Sequence, residues 1–172
     1  MKLILYLVVT LMLTSCGYHL VGQGKSNVIP EGVESASLTS QGAQQDKALL
    51  AELRQAWMQR DALPSLNVEA AEAQKHVSLR IEGASEAFTP VAFDASGLAI
   101  QYRLSVSGIL QMYQDSKLIW GSGQVVSSAD IFGDAAALTN NPASIEAERE
   151  ALIEQLRKQW AQDALARLQS GF

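Results

Sequence analysis

From Ala99 to Gln114 the chain alternates as a half-buried β-strand does. Tyr102, Leu104, Val106, Leu110 and Met112 fall on one face; Gln101, Arg103, Ser105, Ser107, Gln111 and Tyr113 fall on the other. Val77, Leu79 and Ile81 alternate in the same way with Ser78, Arg80 and Glu82, and this strand can run on through Phe88 to Phe93. Pro90 marks a bend or an edge position within it. Leu118 to Val126 reads as a third strand, with Gly121 and Gly123 signalling a bulge or a close neighbour. Asp94-Ala95-Ser96-Gly97 and Gln114-Asp115-Ser116 supply the turns. The result is an antiparallel meander. Its apolar face needs a cover, and the rest of the chain must provide one.

Two helices can do so. After a first strand at Val33 to Leu38, Asp46 stands as an N-cap. Leu49, Leu50, Leu53, Ala56 and Trp57 then form an apolar stripe that ends before Pro64. A short strand is expected at Leu66 to Glu69. The last helix starts at Ser144, with Glu146, Glu148 and Glu150 favoured at its N-terminus by the helix dipole. Ile145, Leu152, Ile153, Leu156, Trp160, Ala164, Leu165 and Leu168 make its stripe. The expected fold class is α+β: two helices packed on one face of a mostly antiparallel four-stranded sheet, an α/β sandwich. Trp57 and Trp160 continue the stripes and read as core; Trp120 is either core or a partner-facing anchor.

The N-terminus carries an address. Lys2, the apolar run Leu3 to Leu13 and the small residues of Leu13-Thr14-Ser15-Cys16 have the layout of an export signal. The run is too short for a spanning helix, which needs roughly 20 apolar residues. Cys16 is the chain's one cysteine, and its place in a Leu-x-Ser-Cys lipobox makes it the lipidation site, carrying N-acyl and S-diacylglycerol groups. The lone thiol is then consumed, and no disulfide can form within one chain. Gly17 after it favours the outer membrane over inner-membrane retention. The expected division is 1–15 signal peptide, 16–30 lipidated tether and 31–172 a single domain. The stretch Gly17 to Pro30 spans at most roughly 50 Å. Removing residues 1–15 from 172 leaves 157, with 12 basic and 18 acidic residues, a net charge of −6. An acidic chain does not advertise the basic patch that nucleic acid demands, and it would meet phosphorylated lipid only through a local cluster of its few Arg and Lys residues.

No catalytic constellation is present. His19 and His76 are too far apart in sequence to suggest a metal cluster, and both read as surface residues. No G-x-S-x-G, H-E-x-x-H or phosphate-binding loop occurs. Glu146, Glu148 and Glu150 are spaced by two and point to different sides of a helix, a solvated start rather than a carboxylate pair. The chain is expected not to be an enzyme and to need no metal or diffusible cofactor.

Cys16-Gly17-Tyr18-His19-Leu20 resembles the mature start of the LPS-assembly lipoprotein family LptE, the rare lipoprotein B group. Gly97-Leu98-Ala99 leading into Gln101-Tyr102-Arg103-Leu104 is similar to the family's central hairpin. Glu148-Arg149-Glu150 followed by Leu156 to Leu168 is similar to its C-terminal helix. The resemblance spans the mature chain. It implies an α/β sandwich housed as plug and assembly factor inside LptD, the β-barrel that delivers lipopolysaccharide to the outer leaflet. It also implies LPS contacts by basic residues near the strand turns. Asp94 occupies the central turn here, so the nearest basic candidates are Arg80, Arg103 and Lys117. Two rival readings remain: a lipoprotein that binds a small apolar ligand or serves a lipid-transport system as auxiliary subunit, favoured by a deep pocket between helices and sheet; and an outer-membrane hydrolase, favoured by converging titratable groups.

Overall fold

The computed structural model describes residues 28–40, 44–66, 75–132 and 142–171. Cys16, the signal, His19, the tether up to residue 27, the far end of the expected 66–69 strand and the Ile145 side chain lie outside them. The element order is β1 (Ser35–Ser40), α1 (Gln44–Met58), β2 (Ser65–Leu66), β3 (His76–Phe93), β4 (Ala99–Gln114), β5 (Lys117–Phe132) and α2 (Pro142–Ser170). The expected elements are all here, with their ends moved by a few residues.

The sheet corrects the expected architecture. Among the described residues it has five strands in the order β2-β1-β3-β4-β5 and is mixed, not a mostly antiparallel set of four. β3, β4 and β5 form the antiparallel meander. β1 runs parallel to β3, pairing Ser35 with His76 through Ser40 with Ile81, and β2 runs parallel to β1. The cause is the connection: α1 crosses over the sheet between β1 and the strands that follow, and such a crossover returns the chain in the same direction.

Both helices lie on one face. Leu49, Leu53 and Trp57 of α1 meet Leu156, Trp160, Ala164, Leu165 and Leu168 of α2 over Val77, Leu79, Ile81, Leu104, Val106, Leu110 and Met112. Each of these is nearly or fully buried. The period-2 alternation of β4 therefore places its even residues inward, and Trp57 and Trp160 are core as expected. Trp120 is half-buried against the same cluster. Ile29 also joins the core at 6% exposure.

Gly108 continues the inward series of β4. A Cβ there would sit 3.1 Å from Trp160 Cζ2 and 3.3 Å from Leu49 Cδ1. Both helices press on the sheet at this one point. Of the two glycines singled out in β5, Gly123 has φ +63° and sits at the bulge between the Ile109 and Gln111 pairings.

Asp46 does not cap α1, which begins two residues earlier. Its carboxylate is 5% exposed and accepts the Ala84 N–H at 3.1 Å. Ala84 sits in the β3 irregularity between Glu82 and Ser85, where Gly83 has φ +62°. The residue supplies the acceptor that the ladder lacks there.

β4 and β5 join through Asp115 and Ser116, at φ 50° and 64°, between the paired Gln114 and Lys117. Two central residues with positive φ make a type I′ turn, which favours Asn-Gly. The pair Asp115→Asn with Ser116→Gly is expected to stabilise the domain by about 1 kcal/mol. A thermal melt raised by about 3 °C checks it.

Candidate interaction surfaces

The face opposite the helices carries Arg80 and Arg103, Lys117 stands at the β4–β5 turn, and the sheet does not bring the three together. Arg80 pairs in register with Gln111, and its guanidinium lies 4.5 Å from the centroid of the Tyr113 ring. Arg103 lies eight residues from Gln111 along β4, about 27 Å at strand spacing. It forms a bidentate pair with Asp130, Nε to Oδ1 at 2.8 Å and Nη2 to Oδ2 at 3.0 Å. Gln101 donates a further bond to Asp130 Oδ2 at 2.8 Å. The guanidinium hydrogen bond holds the Asp130 carboxyl below its usual range and raises Arg103 in return. Lys117 stands at the far turn, paired with Gln114. The three cations lie at three levels of the sheet, and Arg103 spends its charge on Asp130.

The end of the β3–β4 hairpin is apolar. Phe93, Leu98 and Phe132 are 58%, 54% and 77% exposed. Asp94 is turned into its own loop, accepting from Ser96 N at 2.8 Å, Ser96 Oγ at 2.6 Å and Leu98 N at 2.9 Å. These bonds, the Ser96 hydroxyl foremost, hold its carboxyl below the ordinary value.

His76 stands in an environment that its local sequence does not announce. It was expected at the surface and is 6% exposed. Nδ1 is 2.9 Å from Ser35 Oγ, and Nε2 is 2.9 Å from Ser37 Oγ. The parallel pairing of β1 with β3 creates this clamp, and no local pattern in the sequence announces so remote a contact. A Ser–His pair is the beginning of nucleophilic chemistry. Here both hydroxyls are buried with the ring, and the arrangement works as a polar rivet between two strands. Burial pushes the imidazole below its ordinary value. The unfolded chain therefore binds this proton more readily than the folded one. Stability contributed by neutral His76 is present above about pH 6.5. It is lost as the pH falls through that value toward the lowered folded pKa. Thermal melts from pH 7.5 to 5 are expected to show this slope, and His76→Gln is expected to flatten it.

α2 crosses the sheet on a diagonal. Near its middle Arg157 pairs with Glu86 of β3 at 2.7 Å, both half-buried. Near its end Arg167 Nη1 donates to the Ser122 and Gln124 carbonyls of β5 at 2.8 and 3.1 Å. Among the described residues no group of His, Cys, Asp and Glu has the arrangement of a metal site. No described helix is long and apolar enough to cross a membrane.

Known structures share this arrangement. Rare lipoprotein B from Shewanella oneidensis superposes with a TM-score of 0.60 at 19% identity, covering 76% of this chain and 90% of that one. The fold is that of rare lipoprotein B. An uncharacterized lipoprotein B from Nitrosomonas europaea gives 0.63 at 16% identity, covering 89% of this chain and 90% of its own. A minor lipoprotein from Acinetobacter baumannii gives 0.61 at 11% identity, covering 81% and 93%. No protein-family model and no curated protein matches the chain. At these identities the likeness concerns the backbone, and the rare lipoprotein B fold tolerates wide change in the residues that cover it.

Proposed function

We propose that this chain is an outer-membrane lipoprotein, anchored through Cys16, that serves as plug and assembly partner of the LPS translocon β-barrel LptD and helps insert lipopolysaccharide at the cell surface. The observation that carries the reading is the rare lipoprotein B fold, spread over most of the chain, behind a lipobox cysteine. The role is non-enzymatic: packing, positioning and assembly.

The shape suits it. A barrel lumen is polar, so its occupant needs a closed core and polar outer faces. The core between helices and sheet is filled by large side chains, Trp160 at its centre. The sheet face away from the helices presents Gln101, Arg103, Ser105, Ser107 and Gln111. β3, of 18 residues, is about 60 Å long at strand spacing. That exceeds the roughly 40–45 Å of a whole bilayer, so one domain can reach both mouths of a barrel.

The test is purification of the tagged, lipidated chain from its own outer membrane in mild detergent, with its companions identified by mass. A large β-barrel in one-to-one ratio is expected. An abundant, intact chain without a barrel overturns the reading.

A further inference from the structure

Natural sheets defend their edges with short strands, proline, bulges or covering side chains, because an open edge pairs with any extended chain. This sheet does so almost everywhere. One side ends in β2, of two residues. Beyond Ile81, where β1 stops, the outer margin of β3 carries the Gly83 irregularity and Pro90, which has no N–H to offer. On the other side the first half of β5 is interrupted by irregularities opposite Met112–Tyr113 and Ile109–Gln111. Arg167 then covers the outward carbonyls of Ser122 and Gln124.

The second half of β5 has none of these devices. From Ile109–Gln124 to Gln101–Phe132 it follows β4 without a shift. It contains no proline and no lysine, and its one charge, Asp130, is bound to Arg103. The diagonal of α2 carries the helix toward β3 at this level. No described strand pairs with its outer side. Because the Gln124 carbonyl faces away from β4, strand alternation turns the N–H and C=O groups of Val126, Ser128, Asp130 and Phe132 outward too. Their side chains share the face opposite the helices, with Val126 54% and Phe132 77% exposed.

We propose that Val126–Phe132 is a strand-addition edge that receives an extended segment of the protein housing this domain, with apolar side chains laid beside Val126 and Phe132. This rests on the plug reading above. A second copy of the chain is the poorer occupant. Seven residues of edge are about 23 Å long. With a sheet thickness of about 10 Å, each copy would bury roughly 230 Å². A stable pair needs about 1,200 Å² in total. The added strand therefore belongs to a partner that grips the domain elsewhere as well, as a surrounding barrel does.

The experiment uses the full-length lipidated chain purified with and without its barrel. Amide exchange at Val126, Ser128, Asp130 and Phe132 is expected to slow by about tenfold or more in the complex. Ser128→Pro removes the central outward N–H while sparing the ladder to β4, and is expected to cut barrel recovery about tenfold; Ser128→Thr, which keeps the N–H, restores it. A wild-type complex with unchanged exchange at these amides overturns the edge and leaves the plug intact. Failure of the wild type to bring down any barrel overturns the plug, and this proposal with it. Free chain running at twice its protomer mass with the same four amides protected assigns the edge to a second copy and overturns the partner.

Discussion

Trp160→Ala is expected to cost about 4 kcal/mol of stability, the largest single effect in the domain. The ring is fully buried where α1, α2 and β4 meet. Its removal forfeits the transfer of a large aromatic surface and leaves a cavity that three packed elements cannot collapse into. In a domain of this size the melting point should fall by about 12 °C. Trp160→Phe separates packing from polarity. Trp160 Nε1 is buried without a hydrogen-bond partner among the described residues, so phenylalanine loses ring volume but also relieves a donor they leave unsatisfied. It should cost far less than alanine. Equal losses for the two variants would contradict the packing account.

Gly108→Val is the second large effect, expected at about 3 kcal/mol by overpacking. The cause is the same contact seen from the sheet: a Cβ at this position lies 3.1 Å from Trp160 Cζ2. Gly108→Ala asks only for a shift of a few tenths of an ångström and should cost about 1 kcal/mol. Because the two side chains share one space, their effects are not additive. Denaturant melts of Gly108→Ala, Trp160→Leu and the double variant are expected to show that the alanine costs less when the indole is gone. Strict additivity would mean that the glycine is there for some other reason.

Most of the fold is written in local patterns. The alternation through Leu104, Val106, Leu110 and Met112 names the inward face of β4, and the stripes from Leu49 to Trp57 and from Leu152 to Leu168 name the helix faces that cover it. Local pattern fails where structure depends on distant pairing. β1 lies beside β3 rather than at the end of an antiparallel set, so the sheet is mixed and His76 is buried between Ser35 and Ser37. Asp46 looks like a cap because caps are local; its real partner is Ala84, on β3. Gly108 falls in the inward alternation of β4, but the groups that press on it, Trp160 of α2 and Leu49 of α1, come from elements no local pattern connects to it.

The functional surface was harder to read for the same reason. Arg80, Arg103 and Lys117 look alike in sequence, and only the register separates them. One lies over Tyr113, one is held by Asp130 and one stands at a turn. The unguarded half of β5 has no sequence signature of its own. It is defined by the absence of devices that the other margins carry, and by a helix that crosses away from it.

A plug differs from a side-docked partner in being enclosed on every side. The most direct measurement is hydroxyl-radical footprinting of the lipidated chain, free and in its purified complex, at two probes on opposite faces. Met58, 66% exposed, reports from the helix layer; Phe132, 77% exposed, reports from the sheet face away from it. Lumen residence predicts that labelling of both falls sharply in the complex. Protection of one face with the other still fully reactive would show a partner docked against the side of the domain and would contradict the plug.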